Sequence, residues 1–145
     1  GKSTVFNALT GLRQHTGNWS GKTVSNAQGY CRDGEQGYVL VDIPGCYSLE
    51  ARSAEEKAAR DFVCFGHPDG VVAVCDASCL ERNLPLVLQL SLVCDHLVVC
   101  VNLMDEAKKK KIHLRLPLLE KRLGCPVVGT SARSKEGLDG ISRLH

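Results

Sequence analysis

A chain of 145 residues, 43% of them hydrophobic and with a formal charge of +2, is long enough for one α/β domain with a core of its own. So small an excess of positive charge excludes the electrostatic footprint of a nucleic-acid binder and a polybasic membrane anchor. No apolar run reaches the length that crosses a bilayer and no signal peptide is visible, so the chain as written reads as soluble.

In chain order, Gly1-Lys2-Ser3-Thr4 opens a helical pattern, with Val5, Leu9 and Leu12 at helical spacing and Gly11 near the end. Gln14 to Asn26 has little apolar periodicity and reads as a mobile loop with Trp19 in its middle. Gln28–Asp33 and Tyr38–Asp42 read as two strands joined by a turn through Gly34 and Gly37. Ser53–Phe65 reads as a helix with Ala54, Ala58, Phe62 and Phe65 on one face. Gly70–Cys75 and His96–Val101 are continuous apolar runs, the pattern of strands covered on both faces.

Between those runs, Pro85 near the start and Leu84, Leu88 and Leu92 along it mark a helix. The only charge run, Lys108–Lys111, reads as a solvated helix end or loop. A short helix and a longer one, Leu116–Leu123, follow, the latter stopped by Gly124. Val127–Gly129 is a short strand, and Leu138, Ile141 and Leu144 begin a last helix. Strands alternating with helices predict an α/β fold, a mostly parallel sheet with helices on both faces, whose ligands bind at the carboxyl ends of the strands. Asp42, Asp76, Asn102 and Ser131 all fall at or just after strand ends.

The eight cysteines do not change that reading. Cys75 and Cys100 lie inside apolar runs, where a thiol behaves as a small hydrophobe. Cys64, Cys94 and Cys125 sit at helix ends or strand starts, there is no C-x-x-C, and Cys75…Cys79 lacks a second ligand pair or a nearby His. Reduced thiols in a cytosolic compartment are expected, without a structural metal.

Four short segments then suggest chemistry at the rim. Gly1-Lys2-Ser3 equals the last three positions of G-x-x-x-x-G-K-[ST], with Thr4 directly after them. In such a loop main-chain N–H groups face phosphates, the Lys reaches the β/γ oxygens and the Ser hydroxyl ligates Mg²⁺. Asp42-Ile43-Pro44-Gly45 fits D-x-x-G, the Asp holding Mg²⁺ and the Gly N–H meeting the γ-phosphate where a side chain would block approach. Asn102-Leu103-Met104-Asp105 fits N-x-x-D: the Asp105 carboxylate suits the two N–H donors of guanine, which adenine lacks, and Asn102 would brace the loop. Thr130-Ser131-Ala132 fits the S-A box, whose main-chain N–H supports the guanine carbonyl. Each segment has a plain alternative, a polar turn, a strand-ending turn or a helix N-cap, but their order along the chain makes a guanine-nucleotide site the reading. Met104 and Arg133, inside and just after these boxes, are grouped with the nucleotide-contacting residues. Cys46 stands where Ras-like enzymes carry the Gln that orients the attacking water, so hydrolysis is expected to be slow or to use a different water-positioning device.

With these residues assembled, the chain resembles the GTPase domain of the ferrous iron transport protein B family. Gly17-Asn18-Trp19-Ser20-Gly21-Lys22-Thr23-Val24 is close to that family's G-N-W-x-G-x-T-V, Asp42–Leu49 to its D-[LI]-P-G-x-Y-S-L, and Asp76 to Leu84 to its D-A-[ST]-x-L-E-R-N-L. The resemblance implies a P-loop GTPase fold over residues 1–145, truncated at both ends and lacking its first strand. It implies Thr23 as the switch threonine on Mg²⁺, and Lys2, Thr23 and Gly45 as the catalytic set. K⁺ at the phosphates, held by the Gly17 and Trp19 carbonyls, is implied more weakly, because the Asn that completes such a site would precede Gly1. It also implies attachment to helical and transmembrane domains, Fe²⁺ as the transported ion, placement on the cytoplasmic face of a membrane, no nucleic acid, and an oligomer left open. The alternatives are a soluble GTPase of the ribosome-assembly or tRNA-modification type, and a nucleotide-binding switch with negligible hydrolysis.

Overall fold

The computed structural model describes residues 2–11, 14–18, 25–33, 36–43, 49, 50, 52–132 and 137, for 14–18, 25, 26, 33 and 36 the main chain alone. Period-two alternation in the central strands decides the layering. In β4 (Val71–Asp76) and β5 (Leu97–Asn102), Ala73, Cys75, Val99 and Val101 point to one face. There they pack with Val63 of α2 (Ala54–Phe65), Val87 and Leu90 of α3 (Leu80–Val93) and Ala107 of α4 (Met104–Lys109). Val72, Val74 and Cys100 point to the opposite face and meet Val5, Ala8 and Leu9 of α1 (Lys2–Thr10). Every residue of β5 is buried, as expected of a strand covered on both sides.

β5 is central in a parallel sheet of order β4-β5-β6, where β6 is Val127–Gly129. Asp76 pairs with Asn102, and Val101 with Gly129, so the three strands end on one rim. A second, antiparallel sheet has the order β1-β2-β3, from β1 (Gln14–Asn18), β2 (Ser25–Asp33) and β3 (Gln36–Asp42). α1 packs against β2, β3 and β4 and so bridges both sheets. The parallel arrangement therefore holds for β4–β6, while the expected hairpin makes the other half antiparallel.

Three expectations are corrected. Gln14 to Asn26 is not wholly a loop: residues 14–18 and 25–26 are strand, with Thr16 opposite Ala27 and Asn18 opposite Ser25. Polar residues at an outer strand are held by main-chain ladder bonds, which apolar periodicity cannot register. In α2 the buried residues are Ala58, Ala59 and Val63, and Phe65 is 72% exposed; it lies two residues beyond Val63, roughly 200° round the helix. α3 begins at Leu80 rather than near Pro85, and buries Val87 and Leu90 while Leu88 and Leu92 face out. The Leu88/Leu92 stripe has helical spacing on the wrong side.

Other boundaries agree closely. Ser53 caps α2, its hydroxyl accepting from Glu56 N–H at 3.1 Å, and Gly124 ends α5 (Leu116–Leu123) in the left-handed conformation, φ 72°, which glycine adopts without steric penalty. The expected helix through Leu138, Ile141 and Leu144 lies outside the described residues, as does Leu12.

Candidate nucleotide site

Two corners carry the residues singled out above. At the first, α1 begins with Lys2, whose ammonium stands 2.5 Å from Asp42 Oδ1 at the end of β3 and also donates to the Ile43 carbonyl. Ser3 and Thr4 follow, exposed, in the opening turn of α1. A cation, a carboxylate and hydroxyls thus gather where a helix starts, and main-chain N–H groups of a first turn have no partner within their own helix. Carboxylate and hydroxyl oxygens are the donors a hard divalent cation takes, so Asp42 and Ser3 fit Mg²⁺ as far as the described residues go. Gly1, Thr23 and Gly45 lie outside those residues.

The second corner is built at the ends of β5 and β6. Asn102 is 1% exposed, and its Oδ1 accepts from Thr130 Oγ1 and from Ala132 N–H, both at 2.9 Å. Its Nδ2 is buried with no hydrogen-bond partner among the described residues. Its main chain is engaged too, the carbonyl accepting from Ala77 N–H at 2.9 Å. Leu103 then takes a left-handed conformation, φ 65°, and turns the chain into α4. Met104 N–H donates to the Thr130 carbonyl at 3.1 Å, and Asp105 N–H to Ser131 Oγ at 3.2 Å. The N-x-x-D and S-A segments, about thirty residues apart in sequence, are therefore one hydrogen-bonded unit. Within the S-A box, the Ala132 N–H is donated to Asn102. Arg133 lies outside the described residues.

Asp76 ends β4 next to this unit. Its Oδ1 accepts from Ser78 N–H at 2.8 Å and Ser78 Oγ at 2.7 Å, while Asn83 Oδ1 accepts from Asp76 N–H at 3.0 Å. Burial pushes its pKa up, but the bonds from Ser78 and Cys79 and the nearby Lys110 charge outweigh it and hold the carboxyl below its ordinary value. Asp76 is thus a loop-forming carboxylate, and Asn83 of the L-E-R-N-L stretch is its brace.

Of the two carbonyls implied for K⁺, Gly17 lies in β1 opposite Asn26 and Trp19 is outside the described residues; the described residues do not assemble that set. Sequence reasoning missed Thr130 as the hydroxyl that holds Asn102, the left-handed Leu103, and Gly137. The last, at φ 79°, packs so closely on the Gly129 carbonyl that a Cβ would overlap it. Only Gly137 carried a readable signal, as a glycine a few residues beyond the S-A box.

A parallel sheet with N-x-x-D and S-A loops joined at its rim, and a helix start at Lys2 facing Asp42, defines the P-loop GTPase fold. The comparisons narrow this. Residues 1–144 match the family model described as Ferrous iron transport protein B. The chain is 39% identical over 145 residues to the Fe(2+) transporter FeoB of Shigella flexneri and to that of Escherichia coli (strain K12), covering 97% of this chain and 19% of each of those proteins. It thus spans about a fifth of the length of the curated relatives it matches. The cytosolic domain of the T. maritima FeoB iron transporter in its GMPPNP form superimposes with TM-score 0.93 at 38% identity, over 99% of this chain and 57% of that one. The FeoB G-domain from Methanococcus jannaschii gives TM-score 0.84 at 41% identity, over 99% and 86%. The chain belongs to the ferrous iron transport protein B family and is built as its G domain.

Proposed function

We propose that this chain is the guanine-nucleotide-binding, slowly GTP-hydrolysing domain of a longer membrane protein that transports Fe²⁺, held on the cytoplasmic face. Residues 1–145 then form the G domain, with helical and transmembrane parts elsewhere in the polypeptide. The observation that carries the nucleotide reading is Asn102: a buried amide whose oxygen is doubly bonded and whose Nδ2 has no partner among the described residues. A buried donor without an acceptor costs about 1–3 kcal/mol, and a base edge seated beside Asp105 would supply one.

In this reading Asp105 accepts from guanine, Met104, Ser131, Ala132 and Arg133 line the base, and Gly1, Lys2, Ser3 and Thr4 hold phosphates. Ser3, Thr23 and Asp42 hold Mg²⁺, which when bound neutralises charge on the β/γ oxygens. Lys2 must let go of Asp42 for both to reach their ligands. Gly45 N–H meets the γ-phosphate, and Cys46 in the place of a water-orienting Gln makes turnover slow. K⁺ near Gly17 and Trp19 remains an addition drawn from the family resemblance alone. Family membership sets aside the soluble ribosome-assembly reading.

The test uses the full-length protein purified in detergent. GDP binding that ATP and ADP do not displace, with single-turnover GTP hydrolysis that exceeds the buffer rate, is the expected result, and comparing the rate in K⁺ and Na⁺ tests the K⁺ site. Equal affinity for adenine nucleotides refutes the site, and binding without turnover leaves the switch reading in its place. Retention of the native protein in alkaline-washed membranes is expected; recovery in the soluble fraction refutes the transporter assignment.

A further inference from the structure

Asn102, Thr130 and Cys100 form a buried chain whose proton order one main-chain group settles. Ala132 N–H can only donate, and it lies 2.9 Å from the Asn102 side chain, so the amide atom facing it is Oδ1. Thr130 Oγ1, 2.9 Å from the same oxygen, must give that oxygen its only hydrogen. Cys100 Sγ stands 3.3 Å from Thr130 Oγ1. With the hydroxyl hydrogen committed, the thiol is the donor in that contact. The order is therefore Cys100 S–H to Thr130 O–H to Asn102 Oδ1, which leaves Nδ2 presented away from the chain.

We propose that Cys100 is a positioning residue for guanine recognition, its thiol acting through Thr130 to hold the Asn102 amide with the oxygen inward and Nδ2 toward the base. The inference rests on the guanine-nucleotide reading above. Without the thiol, a lone pair of Thr130 Oγ1 loses its donor, and Asn102 Nδ2, on the amide that Thr130 grips, can serve it if the amide turns away from Ala132. Rotation of the amide toward that lone pair removes the donor from the base. Donation by the thiol closes this route and polarises the O–H that grips Oδ1. Burial raises the Cys100 pKa, against the pull of its Thr130 bond, so the thiol stays protonated and able to donate at neutral pH. Cys100 is 0% exposed and also packs against Val5 and Ala132, so a packing role is the competitor to be separated.

A double-mutant cycle separates them. GDP affinity is measured by titration on the full-length protein in detergent for wild type, Cys100→Val, Thr130→Val and the pair, with melting temperature recorded for each. One lost hydrogen bond in the chain predicts about a two- to tenfold weaker GDP affinity for Cys100→Val. Cys100→Val is expected to add nothing in the Thr130→Val background, where the chain is already cut, and Cys100→Ser, which keeps a donor, to bind within about twofold of wild type. An equal loss in both backgrounds assigns Cys100 to packing and overturns the proposal, as does no loss at all. If Cys100→Val does not fold, Cys100→Ala runs the same cycle. Wild type that binds no GDP is a failure of the guanine reading itself, and takes this inference with it; wild type that binds while the cycle is additive sinks the inference alone.

Discussion

Lys2 and Asp42 hold each other: the ammonium at the start of α1 stands 2.5 Å from the carboxylate that ends β3. The residue proposed for phosphate and the residue proposed for Mg²⁺ are thus mutual partners, both partly exposed. A pair of that kind contributes at most about 1 kcal/mol, so it opposes nucleotide entry only weakly. Asp42→Asn is expected to bind GDP in EDTA as tightly as wild type or up to about fivefold tighter, because Lys2 is released. In Mg²⁺ the variant lacks the affinity gain of wild type. Titrations with and without Mg²⁺ decide it; an unchanged Mg²⁺ dependence removes Asp42 from the metal site.

Asp105 is tied through its main chain to Ser131 at 3.2 Å, which anchors the start of α4 to the S-A segment. In the proposed site, Asp105→Asn replaces an acceptor by a donor where the guanine amine would bind. GDP affinity is expected to fall by about a hundredfold or more, because a mismatched buried polar pair is strongly rejected, while xanthosine diphosphate, with a carbonyl there, binds better than to wild type. Equal losses for both nucleotides point to damage rather than to recognition.

Two left-handed backbone positions, Leu103 and Gly137, underpin the unit that joins the ends of β5 and β6. Leu103, at φ 65°, is strained for any L residue and more so for a β-branched one. Because Leu103 already bears the left-handed cost of about 1–2 kcal/mol, Leu103→Val is expected to lower stability in denaturant unfolding by less than that, and Leu103→Gly to relieve it. Gly137→Ala is expected to cost more, because it adds overlap with the Gly129 carbonyl to an unfavourable φ of 79°. A neutral Gly137→Ala contradicts the close packing under Thr130.

For Asp76 the folded pKa lies below 3.8. The native carboxyl then holds fewer protons than the unfolded one just under that pH, so its ionised form favours the fold above 3.8 and the contribution disappears as pH falls through the folded value. Asp76→Asn is expected to be less stable than wild type at neutral pH, with the difference closing on acidification. A gap independent of pH assigns the effect to lost loop geometry instead.

Cys75 runs the opposite way. Burial first, and then the neighbouring Cys100, push its pKa from 9.0 to about 12. The neutral thiol favours the fold below pH 9, and that contribution is lost as pH rises toward 12. Although adjacent strands carry them, Cys75 and Cys100 belong to the cores on opposite faces of the sheet, so they are not a disulfide pair. A thiol reagent at pH 8 is expected to modify partly exposed Cys79 in the native protein and to reach Cys75 and Cys100 only on unfolding. Rapid native labelling of Cys100 contradicts its burial.

The boxes were legible in the chain because their chemistry is local. Gly-Lys-Ser-Thr, D-x-x-G and N-x-x-D each place a charge or a small residue at a fixed offset from a strand or helix end, and β5, covered on both faces, announced itself as a continuous apolar run. Family-specific stretches such as Leu80-Glu81-Arg82-Asn83-Leu84 were legible for the same reason. What the chain did not disclose is what depends on partners distant in sequence. β1 is polar and exists because β2 completes its ladder. The outward turn of Phe65, Leu88 and Leu92 depends on where α2 and α3 meet the sheet, since helical spacing alone specifies a stripe and not the side it faces. Above all, Asn102 was readable as a bracing residue, but the direction of its amide is decided by Thr130 and Ala132, residues about thirty positions later that only the parallel pairing of β5 with β6 brings within hydrogen-bond reach.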